Sequence, residues 1–487
     1  MNKSIIYLFY FTAYTVLLLF FGKSGFKKTN NSRDFFVAGN SLGLSTSIFS
    51  FCATWFSAAS MQGVTGNLYS YGISTVLYAI VPWFLGAFML FIMSSKLKKY
   101  DILTVPEFFY LRYNSKWLQS LGGIMIVVIY TLYITIQIRG FGIVISELLD
   151  ISYLFSIILI YLFIIYITFG GLFSVSKTHG LNLVLVIVGI ILATVIVLYN
   201  SGGIIIIFEK AKLIDTRPFL NFPYITEKGG MLHPFAKGQM PPSVIITSFF
   251  GWGLGLASNP QYAIRIISAK DSKTASKMIS YSVVILSILY MGLIIIGIGG
   301  RTLVPTIRSI QTVDEIFPYI INNVIYSPFS GLILIAIVSA AISTANSQLL
   351  LASSGFTYDL YKNLINPNMK EDSFLNLNRI FIFAVGTVSL ILAINPPNSL
   401  LIYGGYLWGF FSATFLIPLY GGLFWKKATK EGAVVSFVIG FITIISFMTF
   451  NTGNNIHPAF FSVITSGLSF YLVSIHFYNK RVIHHEN

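Results

Sequence analysis

The chain has 487 residues, 55% hydrophobic and 10% charged, whereas an ordinary soluble domain carries roughly 25% charged residues. That balance excludes a soluble enzyme. The net charge of +15 is scattered through short stretches between apolar runs and forms no stripe, the pattern that orients a membrane protein rather than one that grips nucleic acid. With a single cysteine, Cys52, no internal disulfide can form.

Apolar runs long enough to cross a bilayer recur along the chain. Thirteen are expected, near 5–21, 44–64, 76–93, 121–148, 153–169, 181–198, 244–257, 278–298, 329–351, 380–394, 401–424, 433–450 and 460–477. In lipid the backbone must satisfy its own hydrogen bonds, so these read as helices of an all-α polytopic membrane protein. The first run resembles a signal sequence in length. It lacks a small-residue cleavage site before Lys23 and is read as a retained helix.

Placing the N-terminus outside leaves most lysines and arginines inside, among them Lys96, Lys98, Lys99, Lys270, Lys273, Lys277, Lys426, Lys427 and Lys480. The C-terminus then lies inside, and the expected location is a bacterial cytoplasmic membrane. Two polar stretches, 200–242 and 301–328, fall outside. Either they cap an outer vestibule or they only connect spans.

The acids read as lying in loops or at span ends, with Glu147 nearest to a span interior. A buried acidic proton relay is therefore not expected, and no G-x-x-x-x-G-K-[ST] loop for ATP is present. Only His179 among the histidines lies near a span, so no metal site other than one for sodium is foreseen, and no organic cofactor.

Small hydroxyl residues do lie within the spans. Ser339, Ser343 and Ser347 recur every fourth residue beside Ala340 and Thr344, which makes a narrow polar face on one helix. Two readings stand: close helix packing, or oxygen ligands for a hard cation such as sodium. A cation would also need free carbonyls from a broken helix. The second run holds Ser57, Ser60, Gly63 and Gly66; the seventh holds Gly251, Gly253, Gly255 and Pro260. These two interrupted segments open the groups of spans two to six and seven to eleven, the matched placement found in inverted-repeat transporters. Arg139, inside the fourth run, needs a partner: a bound anion, or backbone carbonyls and water.

Three stretches resemble the sodium:solute symporter family: F-F-V-A-G-N-S-L-G with A-T-W-F-S-A-A-S-M-Q-G-V-T-G-N-L-Y-S-Y-G (35–72), S-N-P-Q-Y-A-I-R-I-I-S-A-K-D (258–271) and A-A-I-S-T-A-N-S-Q-L-L-L-A-S-S-G-F-T-Y-D-L-Y (340–361). The resemblance implies one transmembrane domain over 1–487 with a five-plus-five inverted-repeat core. An extra helix, 5–21, precedes the repeats 44–198 and 244–424, and two helices within 433–477 follow. It also implies a sodium site from the carbonyls of Ala53, Phe56 and Ala340 with the hydroxyls of Ser343 and Thr344. Ser57, Ser60 and Trp252 match solute-site positions, and Arg139 lies near positions that some members use.

Two departures stand out. Trp55 replaces an aspartate of some members, and His179 replaces an aspartate of many, which puts a second sodium site and the usual inner exit in doubt. The expected function is sodium-coupled symport of a small organic solute, a monocarboxylate or amino acid, by alternating access with one sodium per solute. The partners are that solute, sodium and the lipid bilayer, with no nucleic acid. The competing readings are proton coupling through His179 and a non-accumulating channel or sensor.

Overall fold

The computed structural model describes residues 3–26, 29, 31–397, 399–450 and 455–486, without the side chains of 24–26 and 481–486. Helix makes up 82% of the chain, and among the described residues extended pairing is limited to isolated bridges such as Phe219 with Ile307.

The chain begins with the apolar helix α1 (Lys3–Phe26) and the short α2 (Ser32–Val37), capped by the Asn31 side chain. An interrupted element follows: α3 (Leu44–Trp55), a break at Phe56 and Ser57, a π turn (Ala59–Gly63) and α4 (Val64–Tyr71). Next come α5 (Val81–Leu97), α6 (Val105–Tyr113), α7 (Lys116–Leu149), α8 (Tyr153–Thr168), α9 (Gly171–Ser201) and α10 (Ile204–Leu213). A second interrupted element holds α11 (Pro242–Ser248), a π turn (Phe249–Gly253), α12 (Leu254–Ser258) and, after Asn259, α13 (Pro260–Ser268). Beyond it lie α14 (Ser272–Leu303), the short α15 (Ile316–Tyr319), α16 (Ser330–Phe356) continued by a π stretch (Thr357–Ile365), and α17 (Glu371–Leu392). The chain ends in α18 (Leu400–Thr414), α19 (Leu416–Phe424), α20 (Lys430–Phe450) and α21 (Ala459–Glu486).

Among the described residues nine helices are long and apolar enough to cross a membrane, or ten if α18 and α19, bent by 41°, form one span. The other expected runs fall short for visible reasons. Helix α8 is apolar but has 16 residues. The runs at 44–64 and 244–257 are broken helices. The second break is written in the sequence: Asn259 precedes Pro260, which disfavours helical geometry at Asn259, and that residue is extended (φ −73°, ψ 123°) while its side chain caps the Gln261 N–H. The first break has no proline. Phe56 is extended too (φ −73°, ψ 115°), and only tertiary contacts account for it.

Among the helices long and apolar enough to cross a membrane, α16 is the most enclosed, with 94% of its most apolar window buried, against 22% for α1. Small residues let neighbours approach its backbone. A Cβ on Gly123 of α7 would strike the carbonyl of Gly355, and one on Gly189 of α9 would strike Ala336. Large apolar side chains such as Phe9, Phe20, Phe88 and Met291 are exposed around the rim, as a lipid-facing surface requires.

Both polar stretches, 200–242 and 301–328, pack down at one end of the bundle, the α15 end. Ile73 N–H donates to the carbonyl of Met231 at 2.8 Å. Gly72 adopts φ +63° directly against that carbonyl, where no side chain would fit. The carbonyl of Val313 presses on Gly66 of α4. Overpacking costs about 1–3 kcal/mol, so Gly66→Ala should lower the thermal midpoint of the purified protein, and an unchanged midpoint would contradict this packing.

Candidate ion and solute site

The last four carbonyls of an α-helix have no partner within the helix. Helix α3 stops at Trp55 deep in the bundle, so its terminal carbonyls must find partners without water. Ser343 and Thr344 of α16 supply them. Ser343 Oγ lies 2.8 Å from the carbonyl of Ala53 and 3.0 Å from that of Ala340. Thr344 Oγ1 lies 3.0 Å from the carbonyl of Phe56, 3.2 Å from Ala340 and 3.4 Å from Thr54. All five residues expected to hold a cation therefore converge, and all are buried. The two hydroxyls carry one proton each, yet they face the carbonyls of Ala53, Thr54, Phe56 and Ala340. Oxygen lone pairs outnumber protons, a donor set that suits a hard cation.

Just past the break, Ser57 Oγ accepts from the Ser60 N–H at 3.3 Å, and Ser60 Oγ donates to the carbonyl of Trp55 at 3.3 Å. Trp55 Nε1 donates to Tyr290 Oη at 2.9 Å, and Tyr290 Oη donates to Ser60 Oγ at 3.4 Å. The Ala58 N–H donates to Gln137 Oε1 at 3.0 Å, which ties the break to α7. Trp252, in the π turn of the second interrupted element, is fully buried. It meets Trp83 and Trp408 edge-on, with ring centroids 5.0 Å apart in each case. Trp83 in turn lies 5.5 Å from Tyr290. Ser57, Ser60 and Trp252 thus border one aromatic region beside both breaks.

Arg139 faces elsewhere. Its guanidinium donates to the carbonyls of Pro396 and Pro397, lies 3.5 Å from Thr312 Oγ1 and pairs with Asp314 Oδ2 at 3.7 Å. Its acidic partner comes from the 301–328 stretch rather than from another span. Both Asp314 oxygens also accept from the Leu400 N–H, at 3.2 and 3.1 Å. Arg139 is thus already paired in this arrangement. The signal missed in the sequence was the acidic pair Asp314 and Glu315, set between apolar residues in V-D-E-I-F.

One acid lies elsewhere than the sequence suggests. Asp359 is not in a loop. The helix of α16 runs on to Ile365 and carries Asp359 fully buried, accepting from Thr104 Oγ1 at 2.6 Å and Gln119 Nε2 at 2.9 Å. The apolar pattern fades after 351, but buried neighbours keep the helix going.

His179 lies against the cluster at Ser343. The carbonyl of Ser343 can only accept, so His179 Nε2 donates to it at 3.0 Å, and Nδ1 accepts from Ser50 Oγ at 3.1 Å. No group of three or more metal-ligating side chains occurs among the described residues.

A many-helix membrane protein with a buried oxygen cradle at a broken helix defines the class of ion-coupled carriers, and the comparisons give the family. The family model described as "SSF: Sodium:solute symporter family" matches residues 35–440. The chain belongs to the sodium:solute symporter family; it is a transporter and not an enzyme. It is 29% identical over 447 residues to a sodium/proline symporter of Staphylococcus aureus (strain USA300 / TCH1516), covering 89% of this chain and 84% of the relative. The symporter of the same name in strain JH9 is 28% identical over 447 residues, with the same shares covered. Among solved structures it resembles a Na+-coupled sialic acid symporter, substrate-bound and outward-open, with a TM-score of 0.77, 18% identity and coverage of 97% of this chain and 98% of that one. It also resembles a nucleobase-cation-symport-1 family transporter in a closed conformation, with a TM-score of 0.56, 12% identity and coverage of 92% and 95%. At these identities the structures speak for the fold alone.

Burial pushes the Asp314 carboxyl up from its ordinary 3.8 to about 7, against the pull of the Arg139 guanidinium and the Leu400 N–H, with Glu315 adding to the rise. The buried carboxyl keeps its proton between those two values, where the same group in water has lost it. Its contribution to the buried arrangement is complete below about 4 and is lost as pH rises through about 7. Gln62 Nε2 donates to the carbonyl of Asp314, so a cysteine at position 62 lies beneath this contact. Maleimide labelling of Gln62→Cys, corrected for thiolate fraction, should speed up between pH 5 and pH 8, and Asp314→Asn should remove that step. A pH-independent corrected rate in the Asp314 background would contradict the assignment.

Proposed function

We propose that this symporter moves one sodium ion inward together with one small organic solute by alternating access. The observation that carries the reading is the surplus of oxygen lone pairs where Ser343 and Thr344 meet the end of α3. Sodium takes the carbonyls of Ala53, Phe56 and Ala340 and the hydroxyls of Ser343 and Thr344. The solute takes the aromatic region beside the breaks, against Ser57, Ser60 and Trp252.

In this reading thirteen spans build the chain. The helix at 5–21 precedes two inverted five-span repeats, 44–198 and 244–424, and two helices within 433–477 follow. The interrupted segments then hold equivalent places in the two repeats, as transporter breaks do. The α15 end faces outside and both termini obey the charge bias, with the N-terminus outside and the C-terminus inside a bacterial cytoplasmic membrane.

The solute is an amino acid or a small monocarboxylate. Support for an amino acid comes from the relatives named sodium/proline symporter. Arg139 serves a solute carboxylate only if the contact with Asp314 opens, so its first role in this arrangement is to hold α7, the 301–328 stretch and the start of α18 together.

Sodium at the cradle joins α3 to α16 and fixes the break beside the solute. Each ligand then raises the affinity for the other, since the coupling is reciprocal. One charge moving down 100 mV yields about 2.3 kcal/mol, enough for roughly fiftyfold accumulation.

Proteoliposomes under an imposed inward sodium gradient test this. Proline is the first solute to try, followed by small monocarboxylates. The parent should accumulate solute only with the gradient, and Ser343→Ala/Thr344→Ala should abolish accumulation while leaving the purified protein folded. Accumulation that survives in the double variant, or that a proton gradient drives without sodium, would overturn the reading.

A further inference from the structure

Arg265 on α13 is almost completely buried, with 1% of its surface exposed. Its Nη2 donates to Ser347 Oγ at 2.6 Å. Its Nε and Nη1 have no partner among the described residues. The carboxylates that do form ion pairs among those residues are Asp101, Asp215, Glu227, Asp314 and Glu371, and none is paired with Arg265.

The groups around Arg265 cannot supply negative charge. Tyr130 Oη donates to Asn259 Oδ1 at 2.5 Å and accepts from the Gln261 N–H at 2.9 Å, so its hydroxyl is committed. His179 offers an imidazole whose two nitrogens are engaged with Ser50 and Ser343. Ser347 is neutral. One turn before Arg265 on the same helix, Gln261 Nε2 and Tyr262 Oη are buried and unpartnered as well. Both of these unmet groups are donors, and the helix that carries them adds a guanidinium that stays charged at any physiological pH.

A buried charge without a counter-charge is among the costliest arrangements a protein can hold. Water would satisfy the N–H groups and leave the charge. We propose that Arg265 holds a small monovalent inorganic anion of the chloride class at its free Nε and Nη1 edge, with Gln261 and Tyr262 as further donors.

The place of this site gives it a consequence. Ser347 Oγ, which takes the Arg265 Nη2, also donates to the carbonyl of Ser343 at 3.0 Å and lies 3.3 Å from Thr54 Oγ1. The guanidinium is therefore one hydroxyl away from the cradle assigned to sodium. Two cations this close oppose each other, and an anion on Arg265 relieves that opposition. Chloride should then raise sodium affinity, a coupling that rests on the sodium reading above, whereas the anion site itself does not.

The test uses purified full-length protein, with potassium chloride against potassium gluconate at equal ionic strength. Without sodium, chloride should raise the thermal midpoint and gluconate should not, and bromide should act as chloride does. Arg265→Gln should lose the response. His179→Asp, which places a fixed carboxylate beside the guanidinium, should lose it as well, and this variant decides the matter if Arg265→Gln does not fold. Apparent sodium affinity should be higher in chloride by at least about fivefold, the low end of typical couplings. No difference between chloride and gluconate in the parent would overturn the proposal, as would a chloride response that persists in the folded variants. A chloride response without any sodium response would leave the anion site standing and remove the sodium reading.

Discussion

A helix that ends inside a membrane protein leaves carbonyls where no water can reach them, and each unmet one costs several kcal/mol. Helix α3 does this at Trp55, and the rest of the structure is arranged around the debt. Trp55's own carbonyl takes Ser60 Oγ. Those of Ala53, Thr54 and Phe56 fall to the hydroxyls of α16. Helix α16 must therefore come close to α3 and stay there, which explains why it is the most enclosed of the long apolar helices and why Gly123, Gly189 and Gly355 line its approaches.

The two breaks are held by different means, and the difference bears on motion. At Asn259 the following proline and a side-chain cap set the geometry locally, so that break persists whatever its surroundings do. At Phe56 nothing local enforces the extended residue. The break depends on contacts between α3 and α16. Close to it, on the α15 side, Arg139, Asp314 and the Leu400 N–H join three separate parts of the chain. That junction ties the 301–328 stretch to α7 and to the start of α18 beside the same break.

Much of this was legible in the sequence. The apolar runs give the helical membrane class because lipid permits few alternatives. The four-residue serine spacing fixes one face of α16, although spacing alone left packing and ion binding undecided. In the structure Ser339 Oγ turns back to the carbonyl of Ile335, while Ser343 and Thr344 reach across to α3. What escaped were the partners of buried charges. Asp314 lies in a polar stretch and Asp359 beyond the apolar part of its helix; burial of both comes from distant segments that no local pattern reports. The partner of Arg139 was sought within the spans for the same reason. His179 was noticed as a departure in the family pattern, but its contact with the Ser343 carbonyl depends on how α9 is seated against α16.

If an ion, and not packing alone, completes the junction of α3 with α16, the protein must respond to sodium. Sodium titration of the purified protein tests it most directly. Trp55 closes α3 beside the cradle, so its fluorescence should report occupancy. The parent should show a saturable, sodium-specific change, unmatched by potassium, that disappears in Ser343→Ala/Thr344→Ala. A parent blind to sodium, or a double variant that responds as the parent does, would contradict it.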